Sequence, residues 1–442
     1  MSLLLFSVIA SVSVQVTGAP PFPSVPDSLD LQPQVLTSLA EGALDWYLKE
    51  GYPFAAVSMY LSSSDTLVLN TVPGRHALLE DVYFPDSVRT RRSVLLRSLE
   101  LSFGETYSST AVDRWIRDLE KLRFIESAGP CGVSLGPGGN IILVVPVGEA
   151  PPGWFSGDMD FSSSGGFTGG GEIVFTNLFG SGRRLELYGS AAEWGGLDAA
   201  GLYREPWILG SPLSAELRGS QQVPDSGSVI REWSGSVILG LGDFEVSGGG
   251  GSWKSYPLDS PDESYRYGSA GLAWDLTRRV RQGRAGFAGQ ITTNAGSASG
   301  PDSTYFLTRA YGNMSWKWFS GALGLALDAK TGGIISGEWL STMVTRLGGY
   351  GTLRGYPEDS WRAGAFGIIS PEVSLGETPT RIYLFSDAGF LDTGTEGMAY
   401  PVTVGIGLRG VTGGLSFDAG TGIPLDRGLS SARFFMSARV NL

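Results

Sequence analysis

From Trp154 onward, apolar and polar residues alternate in one segment after another, and this alternation limits the folds that the chain can adopt. In the segment PVTVGIGLR, 401–409, every second residue is a large aliphatic one, and the residues between them are threonine, glycine or arginine. Alternation with a period of two is the pattern of a β-strand whose two faces meet different surroundings. The pattern therefore predicts that this region is built from strands.

A soluble β-sandwich also alternates, but other features favour a transmembrane β-barrel. Many segments are about ten residues long, the length with which a tilted strand crosses a bilayer. Their polar faces repeatedly carry Arg and Asp, which suits a water-filled lumen, and Tyr and Trp near the strand ends suit interfacial girdles. Lipid offers no hydrogen bonds to an open sheet edge, so strands cross it only as a closed barrel.

The strand segments fall into two groups separated by a long loop. Eleven are predicted before residue 331, and five after the loop, at 363–375, 380–390, 399–409, 411–420 and 431–442. The total of about sixteen is even, as in bacterial outer-membrane barrels. The sequence thus predicts a mainly β fold, a 16-stranded antiparallel transmembrane β-barrel over 154–442, preceded by two small α+β modules.

The N-terminus predicts export. Residues 3–14 are almost wholly apolar, and small residues follow up to Ala19, which is typical of a secretory signal over 1–18. The alternative is a membrane anchor, for which the apolar run is too short.

Between residues 34 and 148, helix-like and hairpin-like patterns alternate. One amphipathic helix is predicted after Gln32 and another after Ser108 or Ser109, each followed by paired strand-like segments. These patterns predict a first module over 34–73, whose completeness the sequence leaves open, and a second module over 74–148. The proline-rich segment EAPPG, 149–153, is expected to link them to the barrel.

Composition excludes several functions. The net charge of −12 argues against nucleic acid as a partner, because phosphate binding needs a basic surface. The single cysteine, Cys131, and the single histidine, His76, argue against His/Cys metal clusters and His-based triads. We expect Cys131 to be a small buried residue and His76 to lie at a surface or module interface. No catalytic, cofactor-binding or metal-binding residues are predicted, and the chain is not expected to be an enzyme.

The long loop, roughly Gly332 to Trp361, contains the segment LGGYGTLRGYPED, with one arginine among four glycines. A loop of this length is usually functional or disordered, and its glycines permit sharp reversals. The second strand after the loop, RIYLFSDAGF, places Asp387 on the same face as Tyr383 and Phe385, which is the face predicted to point inward. A carboxylate pointing into the barrel needs a partner or water.

These segments resemble motifs of the outer-membrane assembly superfamily typified by BamA and TamA. The LRGY of Leu353–Tyr356 resembles the family's (V/L)RG(F/Y) loop motif, and the FSDAG of Phe385–Gly389 resembles its FxDxG strand motif. NLFGSGRRL, Asn177–Leu185, is similar to an early hairpin of the family, and the two N-terminal modules resemble its POTRA domains. Each motif alone is weak, but together and in order they are specific.

The resemblance implies that the loop tucks into the barrel and that Arg354 pairs with Asp387. A guanidinium and a carboxylate form two parallel hydrogen bonds that fix direction, so the pair would act as a positional latch. The alternative is that Arg354 is a solvated loop residue, and Asp392 in FLDTG, 390–394, is a rival aspartate. The implied latch positions are Arg354, Gly355, Tyr356, Asp387 and Gly389.

The resemblance also implies that the last strand is a signal for the barrel's own assembly. Its alternating apolar residues include Phe434, Met436, Val440 and Leu442. The family's strand ends on an aromatic residue, and Leu442 departs from that pattern.

The function implied is a factor that assembles and inserts outer-membrane β-barrel proteins. POTRA-like modules in the periplasm would pair a sheet edge with unfolded outer-membrane protein precursors, and the barrel, in the bacterial outer membrane, would insert them through a seam between strands 154–163 and 431–442. Membrane lipid and accessory periplasmic proteins or lipoproteins are the other expected partners, and no cofactor is needed. The alternative is a polypeptide secretion pore of the two-partner type, whose family branch also has two modules. A porin would not account for the modules.

Overall fold

The computed structural model describes residues 11–17, 28–30, 32–62, 66–85, 89–99, 101–162, 166–191, 196–223, 228–280, 283–337, 340, 342–377, 379–394 and 397–442. The chain forms two compact units, 1–150 with 179–181, and 151–178 with 182–442. No helix within the described ranges is both long and apolar enough to cross a membrane.

The first module is a four-stranded sheet with one helix packed against it. Its elements are β1 Ser11–Thr17, β2 Ser28–Asp30, α1 Pro33–Lys49, β3 Ala56–Leu61 and β4 Thr66–Val72. The strand order is β2-β1-β4-β3, with β1 parallel to β4 and β3 antiparallel to it. Leu39 and Ala43 of α1 share a buried cluster with Leu67 and Leu69 of β4, as expected for an amphipathic helix on a half-buried sheet.

Strand β1 lies within the segment predicted as a signal peptide over 1–18. Val14 and Val16 of this strand pack against the module's core, so residues 11–17 are part of the folded module, whose predicted start was residue 34. The short apolar run fits a signal peptide by composition, but its strict alternation, SVSVQVT, is that of a half-buried strand. Residues 1–10 and 18 of the predicted signal lie outside the described residues.

The second module repeats part of this strand arrangement. Its elements are β5 Leu79–Tyr83, α2 Arg92–Arg97, α3 Ser109–Lys121, β6 Ile125–Ala128, β7 Gly132–Leu135, β8 Ile141–Val144 and β9 Val147–Glu149. A three-stranded sheet has the order β5-β8-β7, with β5 parallel to β8 and β7 antiparallel to it, and β6 pairs with β9. Strands β5, β8 and β7 thus correspond to β1, β4 and β3. Helix α3 was predicted, whereas α2, with six residues, is too short to show a helical period.

Two polar residues of this unit, Glu149 and Cys131, bear on later experiments. Glu149 accepts hydrogen bonds from the backbone N–H groups of Arg89 and Thr90, at 2.9 and 2.7 Å, and from the Thr90 hydroxyl. Burial alone would raise the pKa of the Glu149 carboxyl, but these hydrogen bonds hold its pKa below the usual value. The thiol of Cys131 is partly buried, and burial, helped by Asp113, raises its pKa to about 11. His76 is exposed, with its ring edge-on to Tyr52.

The second unit is a closed antiparallel barrel. Its strands are β10 Gly153–Ser162, β11 Gly166–Leu178, β12 Arg183–Ala191, β13 Leu197–Glu205, β14 Leu213–Val223, β15 Ser228–Leu241, β16 Phe244–Pro257, β17 Glu263–Asp275, β18 Arg278–Val280, β19 Gly283–Ser299, β20 Thr304–Ser320, β21 Leu323–Ser336, β22 Thr345–Leu347, β23 Trp361–Ala363, β24 Ala365–Leu375, β25 Thr380–Asp392, β26 Met398–Ala399, β27 Val402–Thr412, β28 Leu415–Pro424 and β29 Arg433–Asn441. Without the short strands β18 and β26 and the loop strands β22 and β23, sixteen long strands close the wall, eleven before the loop and five after it. The predicted count is confirmed, although β27 and β28 begin a few residues later than predicted.

The two faces of the wall differ as the alternation predicted. On β27, Val404, Ile406 and Leu408 project outward and are exposed, whereas Thr403 is fully buried on the inner side. On β25, Ile382 and Leu384 point outward, and Tyr383 and Asp387 are buried inside. The apolar face of each strand is thus on the outside, which is the arrangement of a barrel in lipid.

The wall closes between its first and last strands. Strand β10 pairs with β29 from Trp154 opposite Asn441 to Phe161 opposite Phe434. We call the end of the barrel at which β10 begins the near end, and the opposite end the far end. Because consecutive long strands are antiparallel, the loop between β21 and β24 leaves the wall at the far end.

Candidate functional site

The loop between β21 and β24 folds into the barrel lumen. Strands β22 and β23 pair with each other and form its stem. The tip beyond them packs against the inner side of the wall, and Leu353 and Tyr356 of the tip are fully buried. They share an apolar cluster with Ile368 of β24 and Leu391 of β25. The glycine-rich segment therefore has a fixed conformation against one part of the wall.

At the tip, Arg354 and Asp387 are in direct contact. The guanidinium donates from Nε to Oδ2 at 3.0 Å and from Nη2 to Oδ1 at 2.7 Å, and the backbone N–H of Arg354 donates to Oδ2 at 2.9 Å. The Asp387 side chain is fully buried. Two parallel side-chain bonds and one backbone bond fix both the direction of the guanidinium and the position of the loop backbone.

Two further groups surround the Arg354 guanidinium. The ring of Phe385 lies beneath it, with the guanidinium carbon 3.7 Å from the ring centroid, a cation–π contact. Glu372 Oε2 lies 3.8 Å from Nη1, and the same carboxylate accepts from Arg409 at 3.0 Å. Glu372 was not singled out from the sequence, although it falls on the inward face of β24 and an inward acid is a usable signal.

A second network joins the loop to the last strands of the barrel. The carboxylate of Asp418 on β28 accepts from Arg409 Nε at 2.9 Å, from the hydroxyl of loop residue Tyr350 at 3.1 Å, and from the hydroxyl of Tyr383. The Tyr350 ring also packs on Phe435 of β29, with centroids 5.3 Å apart. The loop thereby contacts β25, β28 and β29.

The other predicted latch positions are close to the same contact. Gly355 has φ +99, and a Cβ on it would lie 2.8 Å from the carbonyl carbon of Gly422 on β28, so only glycine fits there. The Tyr356 hydroxyl donates to Asp426 Oδ1 at 2.5 Å. At Gly389, a Cβ would come within 2.9 Å of the Pro401 ring.

A second arginine fixes the stem of the loop. Arg346 Nη2 donates to both carboxylate oxygens of Asp198 on β13, at 2.9 and 2.7 Å, and Nη1 donates to Asp359 within the loop. The Arg346 side chain is only 10% exposed. Nothing in the sequence pattern linked Arg346 to Asp198, because the two lie 148 positions apart and share no motif.

The remaining predicted residues occupy other places. Asp392 lies at the end of β25, where its carboxylate accepts from the backbone N–H of Gly394 at 3.1 Å and closes a turn. The Arg354 guanidinium bonds to Asp387 instead, so the rival pairing with Asp392 is not the one present in the described residues. On the last strand, the outward-facing residues are Phe434, Met436, Val440 and Leu442, all of them exposed.

Comparison with known proteins shows likeness in structure. No family model matches the chain, and no curated protein matches its sequence. The chain is similar to the crystal structure of BamA from Haemophilus ducreyi lacking POTRA domains 1–3, with a TM-score of 0.63 at 15% identity over 98% of this chain and 99% of that chain. It is similar to CdiB from Acinetobacter baumannii, with a TM-score of 0.57 at 14% identity over 98% of this chain and 90% of that chain. It is also similar to CdiB from Escherichia coli, with a TM-score of 0.57 at 15% identity over 100% of this chain and 92% of that chain.

These likenesses extend over almost the whole of this chain and at least 90% of each solved chain, so they include both the barrel and the region before it. At identities of 14–15% they speak to the fold. The chain therefore has the fold of these BamA and CdiB structures, and within the described residues this fold is a sixteen-stranded antiparallel barrel preceded by small α+β modules.

Proposed function

We propose that the protein is an outer-membrane assembly factor that receives unfolded barrel precursors and inserts them through the seam between β10 and β29. The observation that carries the proposal is the loop held inside the lumen by Arg354 and Asp387. The loop tip contacts β24, β25, β28 and β29, which together with β27 form the wall on one side of the seam. A barrel that only conducts solutes needs no such attachment beside its closing strands.

The seam itself is suited to opening. Its central register pairs are Gly157 with Ala438 and Asp158 with Ser437, so small side chains meet where cross-strand contacts would otherwise stabilise the pairing. An open edge in lipid leaves backbone groups without hydrogen bonds, which is costly. An incoming precursor strand would replace those hydrogen bonds, and this exchange gives the seam a role in insertion.

The modules offer edges for receiving precursors. In the described part of the chain, β3 pairs only with β4, and β7 pairs only with β8, so each sheet ends in an edge strand. Tyr60 and Leu61 at the end of β3 are exposed. An extended peptide that adds to such an edge gains backbone hydrogen bonds, and apolar side chains along the edge add affinity. We propose that these POTRA-like modules lie in the periplasm.

The second candidate is a polypeptide secretion pore, which is supported by the likeness to CdiB and by the presence of two modules. Depletion of the protein followed by outer-membrane proteomics separates the two. Loss of many barrel proteins supports the assembly factor, whereas loss of a single secreted protein supports the pore.

A disulfide across the seam tests the mechanism directly. Gly157→Cys with Ala438→Cys, in a Cys131→Ser background, places two thiols at opposed positions of β10 and β29. The control, Val237→Cys with Gly248→Cys, locks an opposed pair of β15 and β16 away from the seam. The locked seam is expected to stop insertion of a urea-denatured barrel precursor into lipid vesicles, with recovery on reduction, while the control stays active. Full activity of the oxidised seam variant would disprove the lateral mechanism.

A further inference from the structure

Three cations lie on the outer face of three adjacent strands. Arg231 on β15 lies directly opposite Lys254 on β16, and Lys254 is opposite Ser264, two residues before Arg266 on β17. All three side chains are exposed. We call Arg231, Lys254 and Arg266 the cationic patch.

The outward direction of the patch follows from its neighbours on each strand. Trp233 on β15 is 65% exposed, Val246 on β16 is 44% exposed and Leu272 on β17 is 43% exposed. Each lies an even number of residues from the cation of its strand, so it shares a face with that cation. The patch therefore belongs to the lipid-facing surface.

No carboxylate neutralises the patch among the described residues. Arg231 donates from Nε to the uncharged Gln221, at 3.0 Å, and lies over the ring of Tyr256. The acidic residues beside the patch, Glu232 and Glu263, point inward, where Glu232 accepts from the Tyr267 hydroxyl and Glu263 accepts from Thr342. Like charges directly opposite each other on paired strands are destabilising, so an anion bound between them would be favourable.

The patch lies near the far ends of its three strands. Each cation lies three residues from the far end of its strand, since β15 begins at Ser228, β16 ends at Pro257 and β17 begins at Glu263. That spacing corresponds to roughly 10 Å along a strand. Toward the near end, the same faces carry apolar residues. A cation on the lipid face is costly at the bilayer midplane but is tolerated near the interface.

We propose that the cationic patch binds the phosphate groups of a lipid headgroup in the membrane leaflet at the far end of the barrel. A guanidinium fork matches phosphate oxygens, and the lysine adds a third positive charge. Lys254 and Arg266 line one depression of the wall together with Trp233 and Ser252. A lipid is favoured over free phosphate because its acyl chains would lie along the apolar residues that continue each face.

The assignment of that leaflet to the cell exterior rests on the proposed function, which places the modules in the periplasm. The lipid of interest is then a phosphorylated glycolipid. Lipid A, with two phosphates, is the probe, and phosphatidylcholine, which carries no net charge, is the comparison lipid.

The test measures lipid retained by the purified full chain in neutral detergent, by native mass spectrometry. The triple variant Arg231→Gln, Lys254→Gln and Arg266→Gln is compared with a control, Arg278→Gln with Arg279→Gln, which removes two cations at the near end. The triple variant is expected to lose at least about tenfold in lipid A retention, the control is expected to keep it, and phosphatidylcholine is expected to be retained weakly by all. Heat-modifiable gel mobility shows that each barrel is folded.

Equal retention of lipid A by the wild type and the folded triple variant would overturn the proposal. Displacement of lipid A by an equal concentration of inorganic phosphate would also overturn it, because the patch would then be a site for free anions. Precursor insertion into vesicles of neutral lipid is measured on the same variants and is expected to be unchanged. Loss of lipid binding can therefore be told apart from failure of the proposed insertion activity.

Discussion

Arg346 donates two hydrogen bonds to the carboxylate of Asp198, at 2.9 and 2.7 Å, and so ties the loop to β13. Among the long strands, β13 is the fourth from the seam on one side, and β25, which carries Asp387, is the fourth on the other. Arg346 and Arg354 thus attach the loop to both sides of the wall behind the seam. Any opening that separates these sides must break one of the two pairs or move the loop.

The Arg346 pair is therefore expected to resist seam opening. Removal of one partner from a well-buried ion pair costs about 3–5 kcal/mol, because the other charge is left without compensation. We expect Arg346→Ala to lower the temperature at which the folded barrel loses its gel mobility and to speed disulfide exchange at the 157/438 cysteine pair. Arg346→Lys keeps the positive charge but loses the forked pair of hydrogen bonds. Its effect should lie between the behaviour of the wild type and that of Arg346→Ala. Unchanged exchange in Arg346→Ala would exclude the bracing role.

Arg354→Ala is expected to reduce precursor insertion by more than tenfold while leaving the barrel folded. The pair with Asp387 fixes the loop's position. Its loss leaves the Asp387 carboxylate buried without its partner and lowers stability, as at Arg346, but the wall stays folded because its own backbone bonds hold it. The measurement is insertion into vesicles at matched protein levels. Arg218→Ala is the control, since Arg218 on β14 is a more exposed arginine paired with Glu216 of the same strand. Retained insertion by the Arg354 variant would remove the latch from the mechanism.

Gly355→Ala is expected to reproduce the defect of Arg354→Ala without any change of charge. The added methyl group would lie 2.8 Å from the backbone of Gly422, and a residue other than glycine is strained at φ +99. The matched control is Gly351→Ala, because a Cβ at Gly351 meets no atom within 4 Å. Limited proteolysis of the loop and precursor insertion are the two readouts. Equal proteolysis and equal insertion by the two variants would show that insertion does not need the close approach of Gly355 to Gly422.

The second module should loosen in acid through Glu149. A carboxyl whose pKa is lower in the folded state contributes stability above its unfolded pKa and loses it as the pH falls through the folded value. The contribution of Glu149 is thus present at neutral pH and is lost below about pH 4. Hydrogen-exchange protection of residues 89–99 in the full chain, at pH 7 and at about pH 3, measures the effect. In the Glu149→Gln variant, residues 89–99 should exchange rapidly at both pH values. A pH difference that persists in that variant would show that another titratable group is responsible.

The wall was predictable because it repeats one local rule. Period-two alternation, as in Val404, Ile406 and Leu408, assigns strands and faces without knowledge of their partners, and the count of sixteen follows from it. Ser11–Thr17 also alternates and forms a strand, within the segment for which apolar composition predicts a signal peptide.

The site was only partly predictable. Arg354 and Asp387 were paired through motifs that resemble a known family, since no local pattern relates a loop to a strand 33 residues later. Glu372, Asp418 and Asp198 contribute to the same attachment, and they were missed because their partners depend on the register of distant strands. The alternation identifies inward-facing charged residues as candidates for the site, but it does not predict which of them pair with each other.

Gly355 and Gly422 touch through bare main chain, and a Cβ on either would collide with the other residue's backbone. No residue is smaller than glycine, so this main-chain contact cannot be relieved by a smaller side chain. Any substitution at either position adds atoms where there is no space. Sequences related to this chain are therefore expected either to keep both glycines or to hold the loop at a different place on the wall.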